Sequence, residues 1–455
     1  MKSWQKKIKS CLLYLLAFSL TALPFADSTS TSAQSTTPLA VRYNGPGNSD
    51  DNGTAVAVDN SGNFYVAGSS AGSGTGMDYA TIKYSPTGAQ IWVKRYTSPG
   101  FLDDNVAAIA VDGFGNVYVT GASADDYATV KYSSNGTQLW VKRYNGPANM
   151  ADSATAIAVD GSGNVYVTGS STGPTSSYDY ATVKYSSNGT QLWVKRYDGP
   201  AHFFDFASAL KVDGSGNIYV TGESWSGSTG SLKADYATIK YSSTGNQLWL
   251  KRYNGPINDH DSASGLAIDS SGNVYVTGYS SGSSSDLDYA TLKYSSSGTQ
   301  LWAARYNGTG NHYDYAYGIG VDGSGNVYVT GTSSGGVTSD DCATVKYSPT
   351  GTQLWAKRFA GTSSSSVDDC RAVAADSSSN VYVTGESNRN VSTIKYSPTG
   401  TQLWIRSYNG PGNGDDYGRG IALDTSSNVY VTGTSVGGPT TIYDYVTIKY
   451  NTNGN

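Results

Sequence analysis

Runs of five or six apolar, aromatic and β-branched residues alternate with clusters of Gly, Ser, Asn and Asp along nearly the whole chain. One stretch shows the pattern: Ala154–Val159, Asn164–Gly169, Ala181–Tyr185 and Leu192–Tyr197. Such runs are too short for helices and rich in strand formers, so they predict four strands, here a, b, c and d. DGSGN between a and b, and SSNGTQ between c and d, predict tight hairpin turns in which Gly takes positive φ. Strict in-out alternation is lacking, as expected of sheets covered on both faces. Tyr and Trp then point either way without meeting water.

The unit recurs eight times. GNFYVAG at Gly62 is followed by GNVYVTG at Gly115, Gly163, Gly272 and Gly325, GNIYVTG at Gly216, and SNVYVTG at Ser379 and Ser427. The spacing of 48 to 56 residues is that of a four-stranded propeller blade. The last copy stops after strand c (DYVTIKY), whereas the repetitive part opens with PLAVRYNGP, which matches the strand d phrase LWVKRYNGP. The prediction is an all-β, eight-bladed propeller in which Leu39–Tyr43 completes the last blade and removes its open edge. Residues 39–455 are then a single domain. The d-to-a and b-to-c loops emerge on one face and vary in length and content, while the opposite face is nearly uniform. Ligands are expected on the variable face.

Composition agrees. All but two of the 35 acidic residues are Asp, the exceptions being Glu223 and Glu386, and 55 Gly and few strong helix formers complete a strand-and-turn alphabet. Ahead of the repeats, Lys2, Lys6, Lys7 and Lys9 precede an apolar run from Cys11 to Leu23, which predicts a secretory signal over 1–26, too short to span a membrane. Cys11 begins the run instead of following it, so no lipid-attachment box is expected. Residues 27–38 form a polar, low-complexity linker. The setting expected is secreted or extracytoplasmic. The formal net charge of −5 becomes more negative once the four lysines are removed, which disfavours nucleic acid as a partner. A monomer without a membrane span is expected, with an extracellular protein or glycan as its partner. Cys342 and Cys370 remain, and spacing leaves open whether they pair.

Units such as DYATVKYSSNGTQLWVKRYNGP followed by AIAVDGSGNVYVTG resemble the SBBP β-propeller repeats of exported bacterial proteins, from about Leu39 to Tyr450. The resemblance implies a propeller of seven blades in an extracytoplasmic setting and brings no catalytic residues; the repeats here count eight. Phrases such as TGAQIW and TGTQLW also look like the tryptophan-docking motif of quinone dehydrogenases. Vicinal cysteines are absent and no Asp departs from its repeats, so Trp92, Trp140, Trp193, Trp249, Trp302, Trp355 and Trp404 are read as packing between blades, with Leu39 in the eighth place.

Candidate chemistry lies on the variable face. Asp51, Asp104, Asp152, Asp205, Asp261, Asp314, Asp368 and Asp416 each stand eight positions before a turn Asp, where they are expected to ring the channel mouth. A second set, Asp78, Asp126, Asp179, Asp235, Asp288, Asp341 and Asp444, precedes strand c, with Asn390 in the eighth place. Clustered carboxylates suit a hard cation such as Ca2+. Their structural alternative is capping loop amides or pairing with the Lys of TIKY and TVKY. Departures from symmetry mark a ligand site: His202, Phe203, Phe204, Glu223, Trp225, His260, His312 and Tyr313. No nucleophile elbow, phosphate loop or zinc spacing occurs. The reading is a secreted binding or scaffold propeller, more in keeping with a non-enzyme; the alternative is a funnel-site hydrolase or lyase, metal-assisted or not.

Overall fold

The computed structural model describes residues 37–455 apart from 176, 227–232, 283–285, 337–338, 362–366 and 439–441. The signal sequence expected over 1–26 and nearly all of the linker lie outside the described residues. Eight four-stranded antiparallel sheets follow one another. In blade one the strands are Asp51–Val58 (a), Phe64–Ala71 (b), Met77–Tyr84 (c) and Gln90–Tyr96 (d). Inner strands a begin at Asp51, Asp104, Asp152, Asp205, Asp261, Asp314, Asp368 and Asp416, and each touches the next, blade eight touching blade one. Blade eight holds Asp416–Leu423, Val429–Val436 and Tyr443–Tyr450, and its outer strand is the amino-terminal segment Leu39–Tyr43. The register runs from Leu39 opposite Lys449 to Tyr43 opposite Tyr445. Eight blades, not seven, close the ring.

Strands extend beyond their apolar runs toward the variable face. In blade three, strand a starts at Asp152, b ends at Thr172 and c begins at Tyr178. Ladder bonds there join polar residues such as Asp152 and Ser171, which hydrophobic patterning does not signal.

The repeated phrase has a physical basis in its turns. In blade three Asp160 Oδ1 accepts the amides of Ser162 and Asn164, and Oδ2 accepts Asn164 Nδ2 and Tyr166 OH. Burial raises the Asp160 pKa, but these four donors outweigh it and hold the carboxyl below its usual range. D-x-x-x-N-x-Y is therefore one hydrogen-bonded unit, recurring in every blade.

Seams between blades are built from Trp, Tyr and Lys. Trp249 Nε1 donates to the Ser296 carbonyl of the next blade, as does Lys240 Nζ, which also sits 5.0 Å from the Tyr219 ring centroid. Each tryptophan lies under a glycine of the turn that follows strand c of that next blade. At Gly298 (φ +84°) a Cβ would come within 2.9 Å of Trp249, so both space and dihedral demand glycine. Leu39 lies under Gly88 in the same way, which puts it in the eighth tryptophan's place.

One seam is covalent. Cys342, on strand c of blade six, is bonded to Cys370 on strand a of blade seven, with Cα atoms 5.0 Å apart. At five other seams the residue equivalent to Cys342 is a tyrosine donating across the seam, as Tyr236 does to Ala290 O at 3.1 Å, and in four of these the residue equivalent to Cys370 is an alanine such as Ala263. The bridge thus replaces a tyrosine contact. The chain-entropy relation gives a loop of this length about 3–4 kcal/mol. A Cys342→Ser/Cys370→Ser variant is expected to melt below the oxidised protein, as measured by thermal denaturation with and without reductant; identical midpoints would contradict this.

Candidate functional site

All eight ring Asp residues start strand a, but none lines an open funnel: each is at most 2 % exposed. Oδ2 of Asp205 accepts the Gly199 amide at 2.6 Å, and seven further loops repeat the cap, for example Asp51 with Gly45 and Asp314 with Gly308. Side chains alternate along a strand, so the mouth receives the next residues instead, among them Asn52, Phe206, Tyr315, Asp369 and Tyr417.

The second Asp set pairs with arginine, not lysine. Asp235 Oδ2 takes both Arg252 Nε at 3.0 Å and Nη2 at 2.7 Å, and Arg42, Arg95, Arg143, Arg196, Arg305 and Arg358 pair likewise in their blades. Parity explains the difference. Asp235 and Lys240 are five residues apart on one strand and so face opposite sides, whereas Arg252, opposite Ala237, shares the Asp235 side.

Asp179, at the start of strand c in blade three, lies beside Asp205 across the seam, because Tyr178 and Phe204 form a parallel bridge just before them. Asp198, in the intervening loop, brings a third carboxylate, and one oxygen from each lies within 4.8 Å of the others, close enough to chelate a divalent ion. Asp205 is pushed up to about 6, chiefly by burial, with the Asp179 and Asp198 charges adding to it. In five other loops the residue in Asp198's place is an Asn clasping a second Asn four positions on, as Asn44 does Asn48. Here the clasp is Asp198 with His202, at 2.7 Å, and the carboxylate raises the imidazole pKa.

Most of the remaining sequence-derived site residues come together. Phe203 and Phe204 have ring centroids 5.4 and 5.5 Å from Trp225, whose Nε1 donates to Glu223 Oε1 at 2.8 Å. Glu223 lies 3.8 Å from His260 Nε2, and the His260 ring stacks on Tyr279 at 5.7 Å. Tyr279 meets Tyr315 edge-on at 5.1 Å, and Tyr315 stacks on Tyr313. An aromatic arc therefore crosses blades four, five and six on the variable face. His202 and His312 stand apart from it, exposed, with His312 3.2 Å from Asp286. The three histidines share no site.

Sequence reasoning missed a cavity of about 500 Å³ at the mouth of blades seven, eight and one, lined by Thr54, Asp369, Arg371, Glu386, Tyr417 and Arg419. Its signal was available as departures from the repeat: Arg371 and Arg419 occupy the place of Thr54, Thr155 and Ser264. Burial first, then the charges of Asp415 and Asp369, push Glu386 up to about 7.

Among known proteins, the SBBP β-propeller repeat matches residues 91–127, 139–174, 251–284, 301–336, 354–391 and 403–439. The interval from 175 to 250 includes the loop and blade that carry Asp198, His202, Phe203, Phe204, Glu223 and Trp225. A WD repeat-containing protein of Acanthamoeba polyphaga mimivirus is 24 % identical over 202 residues, 34 % of this chain and 14 % of its own length, so the chain spans a small part of that relative. The WD40 domain of SCAP from fission yeast is similar in structure, with a TM-score of 0.52 at 11 % identity, covering 92 % of this chain and 98 % of that one. A Lactobacillus plantarum protein aligns at a TM-score of 0.48 and 14 % identity, over 76 % of this chain and 95 % of its own. At 11 % identity the likeness to the SCAP domain bears on fold alone.

Proposed function

The chain is an SBBP-type β-propeller repeat protein, and from that premise we propose that it is an exported binding scaffold whose variable face recognises an extracellular glycan or protein, the glycan being the better fit. One observation carries this reading: the arc from Phe203 and Trp225 through Tyr279 to Tyr315 and Tyr313 presents aromatic rings with few rotatable bonds on a rigid blade framework. Flat rings bordered by Glu223 and His260 suit sugar units, whose C–H faces stack while their hydroxyls need polar partners. Among the described residues no helix is long and apolar enough to cross a membrane.

Ca2+ belongs to the same reading. An oxygen-only set of Asp179, Asp198 and Asp205 would take a hard cation and tie the Phe203–Phe204 loop to blade three.

The test is binding to a glycan array by wild type and by Trp225→Ala and Tyr313→Ala variants. Each substitution is expected to weaken binding by about 10-fold. Unchanged binding by both would remove the arc from recognition. A hydrolase or lyase at the mouth is a second reading, favoured by the Glu386 pKa near 7. Turnover of a bound saccharide that disappears in Glu386→Gln would support it.

A further inference from the structure

The repeat breaks most sharply where blades seven and eight meet the channel mouth. Arg371 is ion-paired with Asp369, and its guanidinium carbon lies 4.3 Å from the Tyr317 ring centroid. Arg419, on the inner strand of blade eight, makes no ion pair or hydrogen bond among the described residues. Arg419 is exposed toward the cavity, where partial desolvation first and then the neighbouring Arg371 charge lower its pKa. Glu386, with its pKa near 7, is largely protonated in mildly acidic solution and then offers an O–H donor. Tyr417, pushed up to about 12, keeps its hydroxyl proton.

With Asp369 neutralising Arg371 and Glu386 protonated, one uncompensated positive charge remains in a cavity of about 500 Å³, beside the Tyr417 hydroxyl and the Glu386 carboxyl group. That balance fits a monoanion. A dianionic phosphate would meet Asp369 and, above pH 7, an ionised Glu386. The aromatic arc leads into the cavity, since Tyr315 stacks on Tyr317 and Tyr317 lies under Arg371.

We propose that this cavity binds the carboxylate of a sugar acid, a uronate unit of an oligosaccharide, with Arg419 as its counter-ion. The inference rests on the glycan reading above and names the ligand's charge. Planar guanidinium and carboxylate match in a two-pronged hydrogen bond.

Titration calorimetry with trigalacturonate, its methyl ester and a neutral galactose trisaccharide tests it, using wild type, Arg419→Thr and Glu386→Gln. Threonine stands in the equivalent place in blades one and three, so Arg419→Thr is expected to keep the fold, checked by its melting temperature. Wild type is expected to bind the acid at pH 6 about 10- to 100-fold more tightly than the ester, and Arg419→Thr to lose that preference. Raising the pH from 6 to 8 ionises Glu386 and weakens binding of the acid by wild type. Glu386→Gln removes this pH dependence. Equal affinity for acid and ester in wild type, or an unaltered preference in Arg419→Thr, overturns the cavity proposal. If the neutral trisaccharide still binds in that case, the glycan reading survives; if no saccharide binds at all, both fall.

Discussion

A chain beginning at Asn44, lacking Leu39–Tyr43, is expected to melt at least about 5 °C lower than the full propeller and to associate in solution. The segment contributes the fourth strand of blade eight, and Val41 and Tyr43 pack into the cluster that joins blades eight and one. Arg42 binds Asp444 at 2.8 Å, Ser435 Oγ at 2.6 Å and the Tyr408 hydroxyl of blade seven at 3.2 Å. Without it, Asp444 keeps its buried position but loses its cation, and Tyr443–Tyr450 becomes an open edge. Apolar burial and the broken pair together are on the order of 5 kcal/mol. Calorimetry and size-exclusion chromatography make the measurement, and a synthetic peptide of residues 37–46 is expected to restore the melting temperature in part by strand addition. A truncated chain that stays monomeric with an unchanged midpoint would refute this closure.

Replacing Arg252 by Met is expected to cost about 3–5 kcal/mol, the second large effect. Arg252 holds Asp235 through two hydrogen bonds, donates to Ser224 and reaches the Tyr197 hydroxyl of the preceding blade at 2.8 Å. Asp235 is 6 % exposed and lies beside Asp261, whose pKa is raised first by burial and also by the Asp235 charge. Removing the cation leaves two buried carboxylates facing each other. The protein itself contains the compensated alternative: in blade seven the Asp is Asn390 and the Arg is Ser407. An Asp235→Asn/Arg252→Ser double variant is therefore expected to recover much of the loss. A double-mutant cycle in urea measures the coupling, and additive effects of the two substitutions would contradict it.

The aromatic arc was half legible. Phe203, Phe204, Glu223, Trp225, His260 and Tyr313 are found because they break the repeat near a variable loop, and contacts confirm that these residues lie along one surface. His202 and His312 break the repeat equally, but each turns to a nearby Asp. Sequence distance does not distinguish the two outcomes. Arg371 and Arg419 escaped notice because isolated arginines in a strand read as surface charge; their meaning arises only when two inner strands bring them to one cavity.

Periodicity alone determined the strand set, the blade count and the closing strand, because each depends on patterns repeated eight times within the chain. Side-chain direction and pairing across seams were decided by tertiary structure. A one-residue change of parity moves an Asp from the mouth to a buried cap, and neighbours in space such as Asp179 and Asp205, Cys342 and Cys370, or Arg371 and Arg419 come from different blades. Local pattern carries the period of a strand; which atoms meet across a seam depends on the register of two strands that sequence order does not place side by side.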